Sequence, residues 1–189
     1  IEPLGVIAFF LLIFSLLRRG SSMDPLLFLT SGIVLYTLFS NIAIRSSNGV
    51  SANEALFFYR PVKPVDTVIA RTLVESGLYS IIFVSLISFT FVLREKIILQ
   101  DLPLLVISFL GLIVFSFGLG LFLMVATFVY PVIIQIIPFI IRPLWFISGV
   151  VISINSLPQY IRPFVSWNPI LQAIELTRYS FTKNYILDT

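Results

Sequence analysis

The sequence predicts an all-α membrane protein, and three observations indicate this fold class. Of the 189 residues, 58% are hydrophobic and only 11% are charged, whereas a soluble domain carries roughly 25% charged residues. The mean hydropathy is +1.06. Long apolar stretches alternate with short polar ones, and a helix of roughly 20 apolar residues is long enough to cross a bilayer. We therefore predict a single transmembrane domain over residues 1–189.

Five apolar stretches account for most of the chain. The predicted spans cover about residues 3–17, 25–44, 66–93, 104–128 and 135–154. The third is longer than a vertical span requires, so its first two turns should project into water, with Arg71 and Glu75 one turn apart on one face. In the fourth, Gly111 and Gly118 lie on one face, with Gly120 nearby. They either allow another helix to approach closely or reflect the general frequency of glycine in membrane helices.

Two polar segments separate or follow these spans. Residues 45–65 form the longest water-compatible loop. Residues 155–185 are expected to form an interfacial hairpin, whose amphipathic second half carries Glu175, Arg178 and Lys183. The chain starts without Met inside an apolar run and stops soon after this hairpin. We therefore interpret the sequence as a fragment that lacks both ends.

Several chemistries are excluded by composition. The chain has no Cys and no His, which excludes disulfides, thiolate nucleophiles, the usual zinc sites and histidine acid–base catalysis. It contains no GxxxxGK[ST] motif, the loop that holds ATP phosphates. We predict no catalytic residue, no metal site and no cofactor bound by this chain. The net charge of +3 is attributed to loop anchoring rather than to a nucleic-acid surface.

One cation lies inside an apolar segment. Arg142 follows Phe139-Ile140-Ile141 and precedes Pro143-Leu144-Trp145. An arginine within a membrane span normally faces a cavity or a partner. The alternative is that its side chain reaches the nearer interface, about 10 Å away along the helix. Both interpretations stay open at this point.

The most distinctive stretch is Tyr59-Arg60-Pro61-Val62-Lys63-Pro64-Val65-Asp66. Its prolines disfavour helix in the residue before each of them, so an extended elbow is expected. Asp66 and Thr67 can cap the helix that follows. Such an elbow either passes motion between a soluble partner and a membrane helix or is an ordinary turn.

Residues 51–71, which contain this elbow, closely resemble the loop before the third helix of capsular-polysaccharide ABC exporter permeases of the ABC-2 type. The resemblance continues through residues 146–149 and through Trp167-Asn168-Pro169 to Arg178. The Trp-Asn-Pro hairpin also occurs in O-antigen and teichoic-acid exporters. The resemblance implies an ABC-2 exporter transmembrane domain with five of an expected six helices present, plus an interfacial re-entrant hairpin.

The resemblance also implies a function and partners. It implies a homodimeric, multi-pass permease of the bacterial inner membrane that exports lipid-linked capsular polysaccharide. A separate ABC ATPase subunit would bind ATP and Mg, and a periplasmic polysaccharide co-polymerase is a further expected partner. The family has a basic amphipathic helix before the first span and a sixth span after the hairpin, so this chain by itself is not expected to transport. Alternatives are an O-antigen or teichoic-acid permease and, from another class, a membrane scaffold or an intramembrane enzyme.

The same resemblance orients the chain and suggests site residues. It implies that the 45–65 loop is cytoplasmic and docks on the ATPase, although the positive-inside rule taken alone leans the other way. The residues expected to couple to the ATPase are Asn53, Glu54, Tyr59, Arg60, Lys63 and Asp66. By side-chain chemistry alone, the substrate path is expected to include Tyr79, Arg142 and Trp145. The residues expected to form either an outer gate or only an aromatic belt are Tyr160, Arg162 and Trp167.

Overall fold

The computed structural model describes Gly5 and residues 24–58, 61–93, 99–151, 154 and 158–181. These residues form six α-helices and one 3₁₀ helix, and none of them lies in a strand. The prediction of an all-α fold is therefore confirmed. The first predicted span, residues 3–17, falls outside the described residues except for Gly5. The elements are α1 (Pro25–Ser47), the 3₁₀ helix (Ser51–Phe58), α2 (Pro64–Leu93), α3 (Leu102–Val129), α4 (Ile133–Ile147), α5 (Arg162–Ser166) and α6 (Pro169–Tyr179).

Three of these helices, α1, α2 and α3, are long and apolar enough to cross a membrane by length and composition. For α1, the capping and proline residues in the sequence lie at the observed helix start. The Asp24 carboxylate accepts a hydrogen bond from the Leu26 N–H at 2.9 Å, and Pro25 occupies the first helical position. A proline is tolerated there because the first N–H groups of a helix have no partner within it.

The structure differs from the sequence prediction at α4. The predicted span covers residues 135–154, whereas the helix ends at Ile147 after 15 residues. At 1.5 Å per residue this helix is about 22 Å long, less than the roughly 30 Å of a hydrocarbon core. The chain then turns through Gly149, whose φ of 71° lies in the left-handed region that favours glycine.

The central element of the described bundle is α1. In its most apolar stretch 78% of the residues are buried, against 22% for each of α2 and α3. It packs against α2, α3, α4 and α6. The outer helices direct large apolar side chains away from the bundle, among them Leu73, Ile81 and Phe122, as expected of helices that border lipid or another chain.

The second half of the predicted hairpin also differs from its amphipathic interpretation. α6 packs against α1 and α3, and Glu175 and Arg178 are 2% and 0% exposed. The two charged side chains form an ion pair with each other, and this pairing lowers the penalty of removing both from water. Lys183 lies outside the described residues.

Of the three glycines noted in this span, Gly120 is the one at a close helix approach among the described residues. A Cβ added at Gly111 or Gly118 would meet no described atom within 4 Å. A Cβ at Gly120 would lie 2.9 Å from the Ser46 Oγ. Gly120 therefore allows the end of α1 to pack closely on α3, whereas the other two glycines open outward from this chain.

Candidate coupling surface and buried arginine cluster

The loop between α1 and α2 is folded back onto the helix ends. The Gly49 N–H donates to the Ser46 carbonyl at 2.9 Å, and the Asn53 Nδ2 donates to the Gly49 carbonyl at 2.8 Å. A Cβ at Gly49 would lie 2.9 Å from the Thr67 Oγ1. The absence of a side chain at this position therefore lets the end of α1 contact the start of α2.

The start of α2 is capped by the residues of the proline elbow. The Lys63 N–H donates to the Asp66 Oδ2 at 2.8 Å, and the Thr67 Oγ1 donates to the Pro64 carbonyl at 2.7 Å. Asp66 thus occupies the position of the acidic residue in a capping box. Lys63 and Asp66 are both exposed. Tyr59 and Arg60, the other elbow residues predicted to couple to the ATPase, lie outside the described residues.

A groove of about 360 Å³ separates the 3₁₀ helix from α2. Beside it, Phe58 is 85% exposed and Leu56 46% exposed, and Glu54 is exposed on the same short helix. Aromatic side chains are enriched in protein interfaces, so this end of the molecule presents a candidate docking surface. We call Glu54, Leu56 and Phe58, together with the groove beside them, the coupling surface. The groove is lined by Asn53, Leu56, Val62, Asp66, Thr67, Ala70, Arg71 and Val74.

Polar contacts cross from α1 to α2 just inside this surface. The Arg45 Nη1 lies 3.1 Å from the Glu75 Oε1, so Glu75 pairs with the neighbouring helix; the sequence had placed it beside Arg71 on one helix face. The Asn41 Nδ2 donates to the Tyr79 Oη at 2.7 Å. Tyr79 is 5% exposed. The structure therefore places this predicted path residue inside a helix–helix contact.

The remaining predicted path and gate residues lie on other elements. On α4, Arg142 is exposed and Trp145 is half-buried, with its ring in edge-to-face contact with Phe146 at 4.9 Å. Tyr160 and Trp167 flank α5 and are 74% and 89% exposed. Arg162, the first residue of α5, is half-buried. Their proposed roles stay predictions.

A buried cluster that the sequence did not single out is centred on Arg178, whose side chain is fully buried. The Nη1 donates to the Gly149 carbonyl at 2.8 Å and to the Glu175 Oε1 at 3.2 Å. The Nη2 donates to the Val150 and Phe28 carbonyls at 3.1 and 3.2 Å. The guanidinium also lies 3.5 Å from the centroid of the Phe28 ring. One side chain thus joins α1, the turn after α4, and α6.

The backbone around this arginine cluster leaves little free space. A Cβ at Gly32 would lie 2.8 Å from both the Arg178 Nη2 and the Val150 carbonyl. The Glu175 Oε1 also accepts from the Ile154 N–H at 3.4 Å, while its Oε2 has no partner among the described residues. The only signal in the sequence was the i,i+3 spacing of Glu175 and Arg178, which is equally typical of an exposed helix.

These features together define a polytopic membrane protein with an exposed loop at one end of the bundle. Comparison with known families identifies the class: the family model described as ABC-2 type transporter matches residues 1–182. The chain belongs to this family. The resemblance inferred from the residues is thereby confirmed.

Similar individual proteins are named for polysialic acid transport or for capsule polysaccharide export. The chain is 35% identical over 159 residues to the polysialic acid transport protein KpsM of Escherichia coli, covering 84% of this chain and 62% of that protein. It is 24% identical to the capsule polysaccharide export inner-membrane proteins BexB of Haemophilus influenzae and CtrC of Neisseria meningitidis serogroup A, covering 96% of this chain and 69% of each relative. The chain therefore spans about three fifths of the length of KpsM.

Proposed function

We propose that this chain is the greater part of the membrane subunit of an ATP-driven exporter that moves lipid-linked capsular polysaccharide across a bacterial inner membrane. The observation that carries the proposal is the similarity, over most of the chain, to proteins named for polysialic acid transport and capsule polysaccharide export. The transported polymer would be anionic, as polysialic acid is.

ATP hydrolysis is assigned to a separate subunit. The sequence contains no phosphate-binding loop, so ATP and Mg would be bound by a partner ABC ATPase. The coupling surface is the proposed docking site for it, because an exposed Phe58 beside an open groove can insert into an apolar pocket of a soluble partner. The orientation implied for the loop is cytoplasmic, where such an ATPase would be.

The transport step would use a second copy of the chain. Closure of the two ATPases would displace the coupling surfaces and open a path between the permeases. Arg142 is exposed on α4, and a guanidinium binds carboxylate or phosphate with paired hydrogen bonds. Exposed aromatic rings near α5, those of Tyr160 and Trp167, would give flat apolar surfaces for sugar rings. A periplasmic polysaccharide co-polymerase would receive the polymer.

The polymer is tested by deleting the native gene and identifying what accumulates in the cytoplasm. The expected result is an acidic capsular polysaccharide that carries lipid at one end, with normal surface capsule restored by the intact gene. Accumulation of O-antigen or teichoic acid would contradict the proposed substrate and favour the related exporters. Accumulation of no polymer would contradict transport and favour a scaffold.

The partner is tested by purifying the affinity-tagged full-length protein from its native membrane. An ABC ATPase should co-purify in a 1:1 ratio, and its ATP hydrolysis should depend on the permease. Recovery of the permease without an ATPase, under conditions that retain its own dimer, would contradict the proposed coupling.

A further inference from the structure

Two polar contacts between α1 and α2 are arranged as successive rungs. The first joins Arg45 to Glu75 at 3.1 Å, and the second joins Asn41 to Tyr79 at 2.7 Å. Asn41 and Arg45 are four residues apart on α1, as are Glu75 and Tyr79 on α2. Residues so spaced stack on one helix face. We call these four side chains the polar ladder.

The polar ladder begins directly beneath the coupling surface and runs into the bundle. Arg45 lies in the last turn of α1, three residues before the loop, and its side chain is 53% exposed. The Glu75 side chain is only 4% exposed, and Tyr79 one turn further in is 5% exposed. The ladder thus connects the exposed loop to the buried part of the helix pair.

A buried carboxylate on a membrane-spanning helix is expensive unless it is paired. Apolar residues of similar volume would pack α2 against α1 at least as favourably. What polar pairs add is a specific register, because a hydrogen bond is lost when one helix slides by a turn, whereas apolar contacts are readily exchanged. This distinction suggests that the ladder serves register rather than bulk stability.

We propose that Arg45 and Glu75, with Asn41 and Tyr79, are positioning residues that make α1 and α2 follow the coupling surface as one unit. The inference rests on the proposed function, since it assumes that an ATPase displaces the loop. With the ladder intact, a displacement of the loop shifts both helices together. Without it, sliding of α2 along α1 absorbs the displacement, and ATP is hydrolysed with little export.

The first test uses charge exchange in the native gene. Arg45→Glu and Glu75→Arg are made singly and together, and polymer export per ATP hydrolysed is measured in the purified permease–ATPase complex. In each single variant, export per ATP hydrolysed should fall about tenfold or more. The double exchange should restore most of this export, as expected for directly interacting residues. The control is Arg45→Glu combined with Asp101→Arg. Asp101 precedes α3, and it is the other end of α3 that contacts the end of α1, so this pair should not recover.

A second measurement covers the case in which single charge variants fail to insert. Tyr79→Phe removes one hydroxyl and keeps the ring, so folding should persist while export per ATP falls. Because the chain has no Cys, single labels can be placed at Ser40 on α1 and Ser85 on α2 through introduced cysteines. With the wild-type ladder, the distance between the labels should stay constant on ATP binding. In Tyr79→Phe, the distribution of distances should become broader.

The outcomes separate the two proposals. A wild-type complex that hydrolyses ATP without exporting polymer would overturn the proposed function, and the ladder inference with it. A wild-type complex that exports normally, with unchanged export per ATP in Tyr79→Phe and no recovery in the charge exchange, would overturn the ladder alone. A wild-type label distance that changes by a helical turn, about 5 Å, would do the same.

Discussion

The two ends of α1 are built in opposite ways. At its start, Phe28 and Ser31 contact the fully buried Arg178, and segments distant in sequence meet around that one side chain. At its end, the chain passes into a short 3₁₀ helix in which none of the residues is buried. One end is a tightly packed junction, and the other is a surface held in shape by local hydrogen bonds.

The difference separates stability from recognition. A buried charge with several partners is intolerant of substitution, because removal of one group leaves the others buried without a hydrogen-bond or ion-pair partner. Exposed loop residues on a rigid scaffold contribute little to folding and are free to bind a partner. Substitutions at the arginine cluster should therefore lower stability, and substitutions at the coupling surface should lower association with the proposed ATPase partner.

The largest effect is expected for Arg178→Met. The change leaves Glu175 without its ion-pair partner and removes donors from the carbonyls of Phe28, Gly149 and Val150. Removal of one partner of a buried ion pair destabilises by about 3–5 kcal/mol. Thermal unfolding of the purified full-length protein in detergent should show a marked fall in melting temperature or no folded protein.

Two further variants define the cause of that loss. Arg178→Lys keeps the charge but not the planar fork of donors, so its melting temperature should lie between those of the wild type and Arg178→Met. Arg142→Met, at an exposed arginine, should change stability by about 0.5 kcal/mol or less. Equal losses for the variants at Arg178 and Arg142 would contradict the special position of the buried arginine.

A smaller loss is expected for Gly32→Ala. The new methyl group would lie 2.8 Å from the Arg178 Nη2 and from the Val150 carbonyl, and overpacking of this kind destabilises by about 1–3 kcal/mol. Gly118→Ala is the matched control, because a Cβ there meets no described atom within 4 Å and alanine is the better helix former. A normal melting temperature for Gly32→Ala would show that the groups around Arg178 can move enough to accommodate the added methyl group.

The start of α1 and the length of α2 were predictable from the sequence because they depend on local composition, whereas the end of α4 at Ile147 was not. The start of α1 at Pro25 and the long α2 follow from apolar length and from proline placement. The arginine cluster was not predictable, since it joins residues 28, 31, 149, 150 and 178 across long separations. An i,i+3 charge pair has the same appearance on an exposed helix as in a core, and only the packing of α6 against α1 and α3 distinguishes them.

The candidate site was predictable to a similar extent. The proline elbow identified the loop, and the capping position of Asp66 follows from its place at the start of a helix. The exposed Phe58 was not singled out, because apolar residues in a membrane protein are usually expected to face lipid or the core. The partner of Glu75 was also missed: local spacing favours Arg71, whereas the antiparallel packing of α1 on α2 brings the Arg45 Nη1 to 3.1 Å from the Glu75 Oε1.

At the coupling surface, Phe58→Ala should leave the melting temperature unchanged and weaken the proposed complex with an ATPase. Loss of a central aromatic anchor from an interface costs about 2 kcal/mol, which is roughly a 30-fold rise in Kd. Affinity between the purified subunits checks this. Phe122→Ala is the control, since Phe122 is 67% exposed on α3 and should not change ATPase affinity. Equal affinities for the two variants would contradict docking through Phe58.

The smallest expected effect sharpens the comparison, because it concerns a buried residue at the coupling end. The Thr127 Oγ1 donates to the Ser47 carbonyl at 2.6 Å, which ties the end of α3 to the end of α1. Thr127→Val keeps the shape and removes the donor, so a loss of about 1 kcal/mol is expected. Thr37→Val is the matched control, because the Thr37 hydroxyl donates within its own helix, to the Ile33 carbonyl.

Melting temperature and ATPase affinity should respond differently to the Thr127 change. A small fall in melting temperature with unchanged affinity would show that stability depends on burial at both ends of α1, and recognition on the exposed loop alone. Reduced affinity in Thr127→Val would mean that the packing beneath the loop also shapes the docking surface. Recognition at that end of α1 would then depend on the buried contacts that hold the loop as well as on its exposed side chains.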